Sequence, residues 1–212
     1  MLFEHIGHSE FLITLESGFR IVTDPYDAST GYPVRKIEAD GVLVSHHHGD
    51  HDAVENVTGC PQIIDYAGEH TFAPDIHLTA LMGDHDDAQG SKRGKTLLFL
   101  LEAEGLRAAH LGDIGCDLTA EQLTALQGLD VLMIPVGGFF TIDAKKARDM
   151  AEQLEAKVIL PMHYKTQYNQ DWPISEVQAF TGLYPAGEVR TGGEALRVTK
   201  GDLMCQPHVA VI

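Results

Sequence analysis

The stretch Ser45-His46-His47-His48-Gly49-Asp50-His51-Asp52 decides the reading of this chain. Within it, His46, His48, Asp50 and His51 fall at the spacing His-x-His-x-Asp-His. Imidazole and carboxylate are the ligands preferred by a borderline divalent metal such as Zn²⁺. The short apolar run Gly41-Val42-Leu43-Val44 leads straight into these residues. They are therefore expected in a loop at the C-terminal edge of a strand, where a rigid scaffold presents chemistry. In extended backbone, residues i and i+2 point the same way. His46 and His48 are thus expected to share one metal while His47 points elsewhere. Gly49 permits a turn, after which Asp50 and His51 open toward a second metal. Two metals roughly 3.5–4 Å apart lower the pKa of a shared water and clamp a substrate oxygen.

The rest of the chain bounds this chemistry. A length of 212 residues is read as a single domain, 1–212. No apolar run approaches the ~20 residues that span a bilayer. The opening Met1-Leu2-Phe3-Glu4-His5 lacks the basic-then-apolar pattern of a signal peptide. Cys60, Cys116 and Cys205 are scattered and form no C-x-x-C pair, which disfavours a thiolate zinc site or a disulfide framework. A cytoplasmic location is expected. With 15 Lys+Arg against 31 Asp+Glu, the formal charge is −16. That argues against nucleic acid and anionic membrane as partners. A small-molecule substrate remains, and an anionic one is compatible with a cationic metal pair. A homo-oligomer is compatible with the composition.

Strands are expected from Glu4 to Leu15 and Phe19 to Thr23, about the turn Glu16-Ser17-Gly18. After the histidine loop, Asp52 to Val57 reads as a short helix with Asp52 as its cap. Ile76 to Leu81 reads as a strand that ends in the polar loop Gly83 to Lys95, expected to be mobile. Thr96 to Leu101 and Leu106 to Leu111 form a hairpin about Glu104-Gly105. Thr119-x-x-Gln122 is a capping box that opens a helix closed by Gly128. Asp130 to Pro135 and Val158 to Leu160 are buried strands. Thr141 is read as the cap of a helix from Ile142 to Ala156, with Ala147, Met150, Ala151 and Leu154 on one face. Ser175-x-x-Gln178 is read as opening another helix. The tail, Ala195 to Val211, reads as a hairpin about Lys200-Gly201-Asp202. Strands mixed with helices imply α/β layers, sheet on sheet with helices outside.

One loop cannot complete two metal sites. The chain offers His85 in Gly83-Asp84-His85-Asp86-Asp87, His110 and Asp113 in Ala109-His110-Leu111-Gly112-Asp113, and His163 in Leu160-Pro161-Met162-His163-Tyr164. Asp113 follows a strand and a glycine, a placement suited to a carboxylate between two metals. The run His46 to His51, Asp113 and His163 each follow a strand, so convergence on one sheet edge is expected.

This combination resembles the metallo-β-lactamase superfamily, and within it the small single-domain Zn-dependent hydrolases related to ascorbate-6-phosphate lactonases. The stretches Ile6-Gly7-His8-Ser9, Thr23-Asp24-Pro25, Ile134-Pro135-Val136-Gly137-Gly138 and Pro161-Met162-His163-Tyr164 carry the likeness beside the histidine motif. The resemblance implies a four-layer αββα sandwich of two mixed β-sheets with helices on the outer faces. It implies two divalent ions, Zn²⁺ first, with Mn²⁺, Ni²⁺ or Fe²⁺ as alternatives. The first would take His46, His48 and His85, with His110 as the alternative to His85. The second would take Asp50, His51 and His163, and Asp113 would bridge. Asp24 is the candidate to orient a ligand histidine, with a plain turn residue before Pro25 as the alternative. His8 and His110 are candidates beside the site. Arg93 and Lys95 offer charge for a substrate phosphate or carboxylate. Gly137-Gly138-Phe139-Phe140-Thr141 is either an anion-binding turn or a tight connection with both phenylalanines in the core.

The implied reaction is hydrolysis of a small ester, lactone or phosphoester by metal-activated hydroxide, with Asp50 and Asp113 as the catalytic carboxylates. Alternatives are a nuclease of the same superfamily, a mononuclear iron oxidoreductase like the persulfide dioxygenases, and a metal-dependent sensor without turnover.

Overall fold

Two mixed sheets packed face to face carry the candidate residues. The computed structural model describes residues 1–201, 203 and 208–212. Along the chain the strands are β1 (Leu2–Gly7), β2 (Glu10–Thr14), β3 (Arg20–Thr23), β4 (Ile37–Glu38), β5 (Gly41–Leu43), β6 (Val57–Thr58), β7 (Gln62–Ile64) and β8 (Gly68–Ala73). They continue as β9 (Ile76–Asp84), β10 (Lys95–Ala103), β11 (Leu106–His110), β12 (Val131–Pro135), β13 (Val158–Met162), β14 (Val189–Thr191), β15 (Leu196–Arg197) and β16 (His208–Val211). The first sheet has six strands in the order β15-β1-β2-β3-β5-β7. The second has eight, in the order β14-β16-β13-β12-β11-β10-β9-β8. Its β8 to β11 are antiparallel, and β11, β12, β13, β16 and β14 run parallel.

Alternation builds the layers. In β10, Leu97, Phe99 and Leu101 enter the core between the sheets, while Leu98 and Leu100 face the opposite side. Phe3, Phe11, Ile13, Ile21 and Leu43 meet them from the first sheet. On the outer face of the second sheet, helices α1 (Ala120–Leu126), α2 (Ala144–Gln153) and α3 (Gln178–Thr181) bury Leu126, Ala147, Met150, Ala151 and Phe180. On the outer face of the first sheet, Leu12, Val22, Val42 and Val44 lie under Ile37 and Val57 of the β4–β6 ribbon and under Val54. The α/β sandwich is the architecture expected. Among the described residues, its cover on this second side is a ribbon and a 3₁₀ turn.

Several local expectations need correction. The first stretch is two strands, broken where His8 takes a left-handed backbone (φ 52°). Asp52 caps no helix: a 3₁₀ turn spans Val54–Asn56, and the Asp52 carboxylate lies 3.4 Å from His47. Asp143, not Thr141, caps α2, accepting from the Lys146 N–H at 2.8 Å. Ser175 cannot cap α3, because its backbone is bonded on both sides to Gly137 and Lys165. The tail is no hairpin: β15 pairs with β1 in the first sheet and β16 with β13 in the second. The turn residue Asp202 of that expectation, and Cys205, lie outside the described residues. The loop after His85 is folded rather than loose. The Asp86 carboxylate accepts N–H groups from Ala88, Gly90, Lys92 and Arg93. Those bonds hold its carboxyl down at about 2 against the cost of burial.

Candidate metal centre

Six strand ends, three from each sheet, deliver the site. β1 leads to His8, β3 to Asp24 and β5 to the histidine loop. From the second sheet, β9 leads to His85, β11 to Asp113 and β13 to His163. Two glycines make the convergence sterically feasible. At Gly112 (φ 49°) a Cβ would lie 2.4 Å from Thr96 Oγ1, whose oxygen accepts the Asp113 N–H. At Gly137 a Cβ would lie 2.2 Å from the His163 carbonyl oxygen. Any other residue there would push apart β12 and the His163 turn. His163 itself is left-handed (φ 53°) and donates its N–H to the His8 carbonyl at 3.0 Å.

Three groups of side chains have ligating atoms within 4.8 Å of one another: His46, His48 and His85; His46, His51 and Asp113; and His8, Asp50, His51 and His163. The first is the trio expected of one metal. The third contains the trio expected of the other. Asp113 lies between them, its Oδ2 at 3.4 Å from His51 Nε2, 3.5 Å from His85 Nε2 and 3.2 Å from His163 Nε2. Asp50 Oδ2 is 3.6 Å from His51 Nε2 and 3.3 Å from His8 Nε2. His8 Nε2, His46 Nε2, His51 Nε2 and Asp113 Oδ1 are buried without a hydrogen-bond partner.

Buried polar atoms are ordinarily satisfied, and each exception needs a reason. Ligand spacing supplies one here. Two donors about 2.0–2.1 Å from a tetrahedral Zn²⁺ stand about 3.3–3.4 Å apart. The nitrogen–oxygen separations of 3.2–3.6 Å around Asp113 and Asp50 have that length. The donor set fits divalent metal.

Asp24 orients this set. Its Oδ2 accepts from His51 Nδ1 at 2.9 Å and from Ser45 Oγ at 2.7 Å, and its Oδ1 accepts the Ser45 N–H at 2.7 Å. Ser45 Oγ also lies 2.9 Å from His46 Nδ1. Both histidines therefore present Nε2 inward, the arrangement a carboxylate behind a ligand imidazole enforces. A turn residue alone would not need three bonds at full burial. His110 goes elsewhere. Its Nε2 bonds the Ser9 carbonyl at 3.0 Å and its Nδ1 accepts the Gly112 N–H at 3.2 Å, which leaves no lone pair for a metal. His47 points out, 68% exposed.

Burial, with the charge of His51 adding to it, pushes the His46 imidazole down to about 3. Burial, with His163 adding to it, takes His8 to about 4. His85 is lowered by burial as well. Burial acts against ionisation of Asp113, but the neighbouring His163 and His51 hold its carboxyl well below the usual range. Burial also opposes charge on His51, and Asp113 and Asp24 outweigh it, raising the imidazole. Neutral imidazoles and ionised carboxylates are the ligating forms.

A cleft of about 300 Å³ opens over these atoms. His48, Asp50, His85, Asp113 and His163 form its floor, and Lys92, Arg93, Phe140 and Trp172 its walls. The Arg93 guanidinium sits 5.6 Å from the centre of the Phe140 ring. Phe139 is 62% exposed rather than packed in the core. Lys95 turns away from the cleft to pair with Asp84. Sequence reasoning missed Trp172 and Ser45. The first is the chain's one tryptophan, a composition signal without a local motif.

Sheets, strand-end loops and the histidine–carboxylate cluster define a protein of the metallo-β-lactamase superfamily. The family model for the beta-lactamase superfamily domain matches residues 3–163. The chain is 31% identical to a UPF0173 metal-dependent hydrolase of Carboxydothermus hydrogenoformans, over 91% of this chain and 92% of that protein, and belongs to that family of metal-dependent hydrolases. A crystal structure from Thermotoga maritima, assigned to the Zn-dependent hydrolases of the superfamily, superimposes with a TM-score of 0.80 at 34% identity. That match covers 99% of this chain and 97% of that one. Human tRNase Z, short form, shares the fold alone, with a TM-score of 0.59 at 12% identity over 79% of this chain and 94% of that one.

Proposed function

We propose that the chain hydrolyses a small ester, lactone or phosphoester at a two-metal centre. One position is held by His46, His48 and His85, the other by Asp50, His51 and His163, with Asp113 between them. The observation that carries this reading is the set of buried, unpartnered ligand atoms at metal-ligand spacing around Asp113. Divalent metal bound there would supply Lewis acidity and a water nucleophile at neutral pH. The protein's own part is orientation. Asp24 and Ser45 fix the His51 and His46 rings, and the cleft walls hold the substrate. Asp50 is held ionised, the ligating form, by His8 and His51 against burial. A cleft of about 300 Å³ favours a small substrate, as does the charge of −16, which opposes a polynucleotide.

The test combines metal analysis with a panel of lactones, aryl esters, thioesters and phosphodiesters. Two Zn²⁺, Mn²⁺ or Ni²⁺ per chain and turnover of one class are expected. Asp113→Ala should lose metal and several kcal/mol of transition-state stabilisation, on the order of 10³-fold in rate. A variant that kept both metals and full turnover would overturn the assignment. One iron per chain, with oxygen consumption, would favour oxidation instead.

A further inference from the structure

We infer that His8 is a ligand of the second metal position, completing a set of four with Asp50, His51 and His163. The inference rests on the two-metal reading and goes beyond the ligands that reading needs.

His8 lies in the turn between β1 and β2, outside every motif that supplies the other ligands. Its side chain is fully buried, yet neither Nδ1 nor Nε2 has a hydrogen-bond partner. An imidazole removed from water with both nitrogens unsatisfied is costly, of the order of 1–3 kcal/mol per group. A core histidine avoids this by bonding backbone, as His110 does on both sides. His8 does not, although its own carbonyl is well used by His163 N–H and His5. The backbone accepts a further cost. His8 stands at φ 52°, a left-handed conformation uncommon outside glycine, although histidine is among the side chains that visit it more often. Such strain persists only where the surroundings require it.

The ring direction explains both. His8 Nε2 is 3.3 Å from Asp50 Oδ2, within 4.8 Å of the ligating atoms of His51 and His163, and unaligned for a hydrogen bond. That separation equals the distance between two ligands on one zinc ion, about 3.3–3.4 Å. The rings of His8 and His163 lie 4.3 Å apart, centre to centre, tilted by 47°. Trp172 stands in edge contact with His8, ring centres 5.3 Å apart. Three imidazoles and one carboxylate would make the second position better supplied than the first, which has three imidazoles and an exposed His48.

The competing role is positional: His8 would donate an N–H to Asp50 and touch no metal. His8→Ala and His8→Gln separate the two. Glutamine carries an amide N–H to about the place of Nε2 but is a poor zinc ligand. Metal-stripped wild type and both variants would be titrated with Zn²⁺ by calorimetry, and with Co²⁺ by visible absorption. If His8 is a ligand, affinity for one of the two equivalents falls about 100-fold or more in both variants. That is at or above the loss expected from removing an outer partner. The Co²⁺ band of that equivalent also shifts in both. The other equivalent, on His46, His48 and His85, stays within a few-fold and shows that the variants are folded. Recovery of wild-type affinity in His8→Gln would overturn the inference in favour of the positional role. Unchanged affinity in both variants would overturn it outright. Wild type that binds fewer than two metals would instead sink the two-metal reading, with this inference.

Discussion

Asp24 and His110 show how two buried polar residues near one site do opposite work. Asp24 spends its carboxylate on His51 and Ser45 and so orients the His51 and His46 rings. His110 spends both nitrogens on backbone, tying β11 to the β1–β2 turn through Ser9. His110→Ala should therefore keep the full metal complement. It should lose roughly 2–4 kcal/mol of stability, from a buried carbonyl and a buried N–H left without partners. Metal analysis and urea unfolding check this, and loss of one metal equivalent would return His110 to the ligand set. The sequence left His85 and His110 as alternatives, the first in a loop after a strand and the second within the strand that leads to Asp113. The decision lies in where each ring's nitrogens are already committed, which depends on Ser9, far away in the chain.

At the scale of elements, the strands and the hairpin turns at Glu16-Ser17-Gly18 and Glu104-Gly105 were legible, and several helix starts were not. The Thr119–Gln122 capping box is local chemistry and forms as written, with both reciprocal bonds present. Thr141, Asp52 and Ser175 carry equally good capping side chains but lie where tertiary bonds have claimed the backbone or shifted the helix start. The loop from His85 to Lys95 is the sharpest case. Its Gly, Asp and Lys content reads as mobile, yet four of its N–H groups meet on Asp86. Asp86→Ala should free this loop, so amide hydrogen exchange at residues 88–93 rises. Metal affinity at the position that includes His85 should fall roughly 10–100-fold, as for other losses of ligand support. Unchanged exchange would show that Asp86 does not organise the loop. Asp130 does a similar task where β12 begins. It accepts the Arg107 N–H at 2.9 Å and pairs with Lys157 at 2.8 Å and Lys200 at 3.3 Å. Burial opposes its charge, but Lys157 and the Arg107 N–H outweigh it and lower the carboxyl. A lowered folded-state pKa gives stability that is present above the unfolded value, about 3.9, and is lost as pH falls through the folded one. Thermal unfolding of wild type should thus weaken below about pH 4, and Asp130→Asn should flatten that slope. An identical slope in the variant would remove Asp130 from the account.

Across the whole molecule, the site joins two sheets that share an apolar core and a few polar contacts, among them Met1 with Glu104 and His110 with Ser9. His8, Asp24 and the His46–His51 loop hang from the first sheet; His85, Asp113 and His163 hang from the second. Like-charged and unsatisfied groups crowd the seam, with Asp50 and Asp113 and several imidazoles within a few ångströms. Without metal this end of the sandwich is the poorly satisfied one, while the opposite end is closed by Asp130 and its lysines. A bound divalent ion would cross-link the sheets and satisfy the orphaned atoms at once. Such binding stabilises the fold by mass action, about 4.1 kcal/mol at a free metal concentration 1,000 times Kd. For a chain of this length each kcal/mol raises Tm by roughly 2–4 °C. Zinc added to chelator-treated protein should then raise Tm by roughly 8–16 °C, in a concentration-dependent way. The same titration on Asp113→Ala should give a much smaller rise, since the carboxylate between the two positions is gone. A metal-independent Tm in wild type would mean that the cluster is held by hydrogen bonds and protons alone, and the sheets by their apolar core.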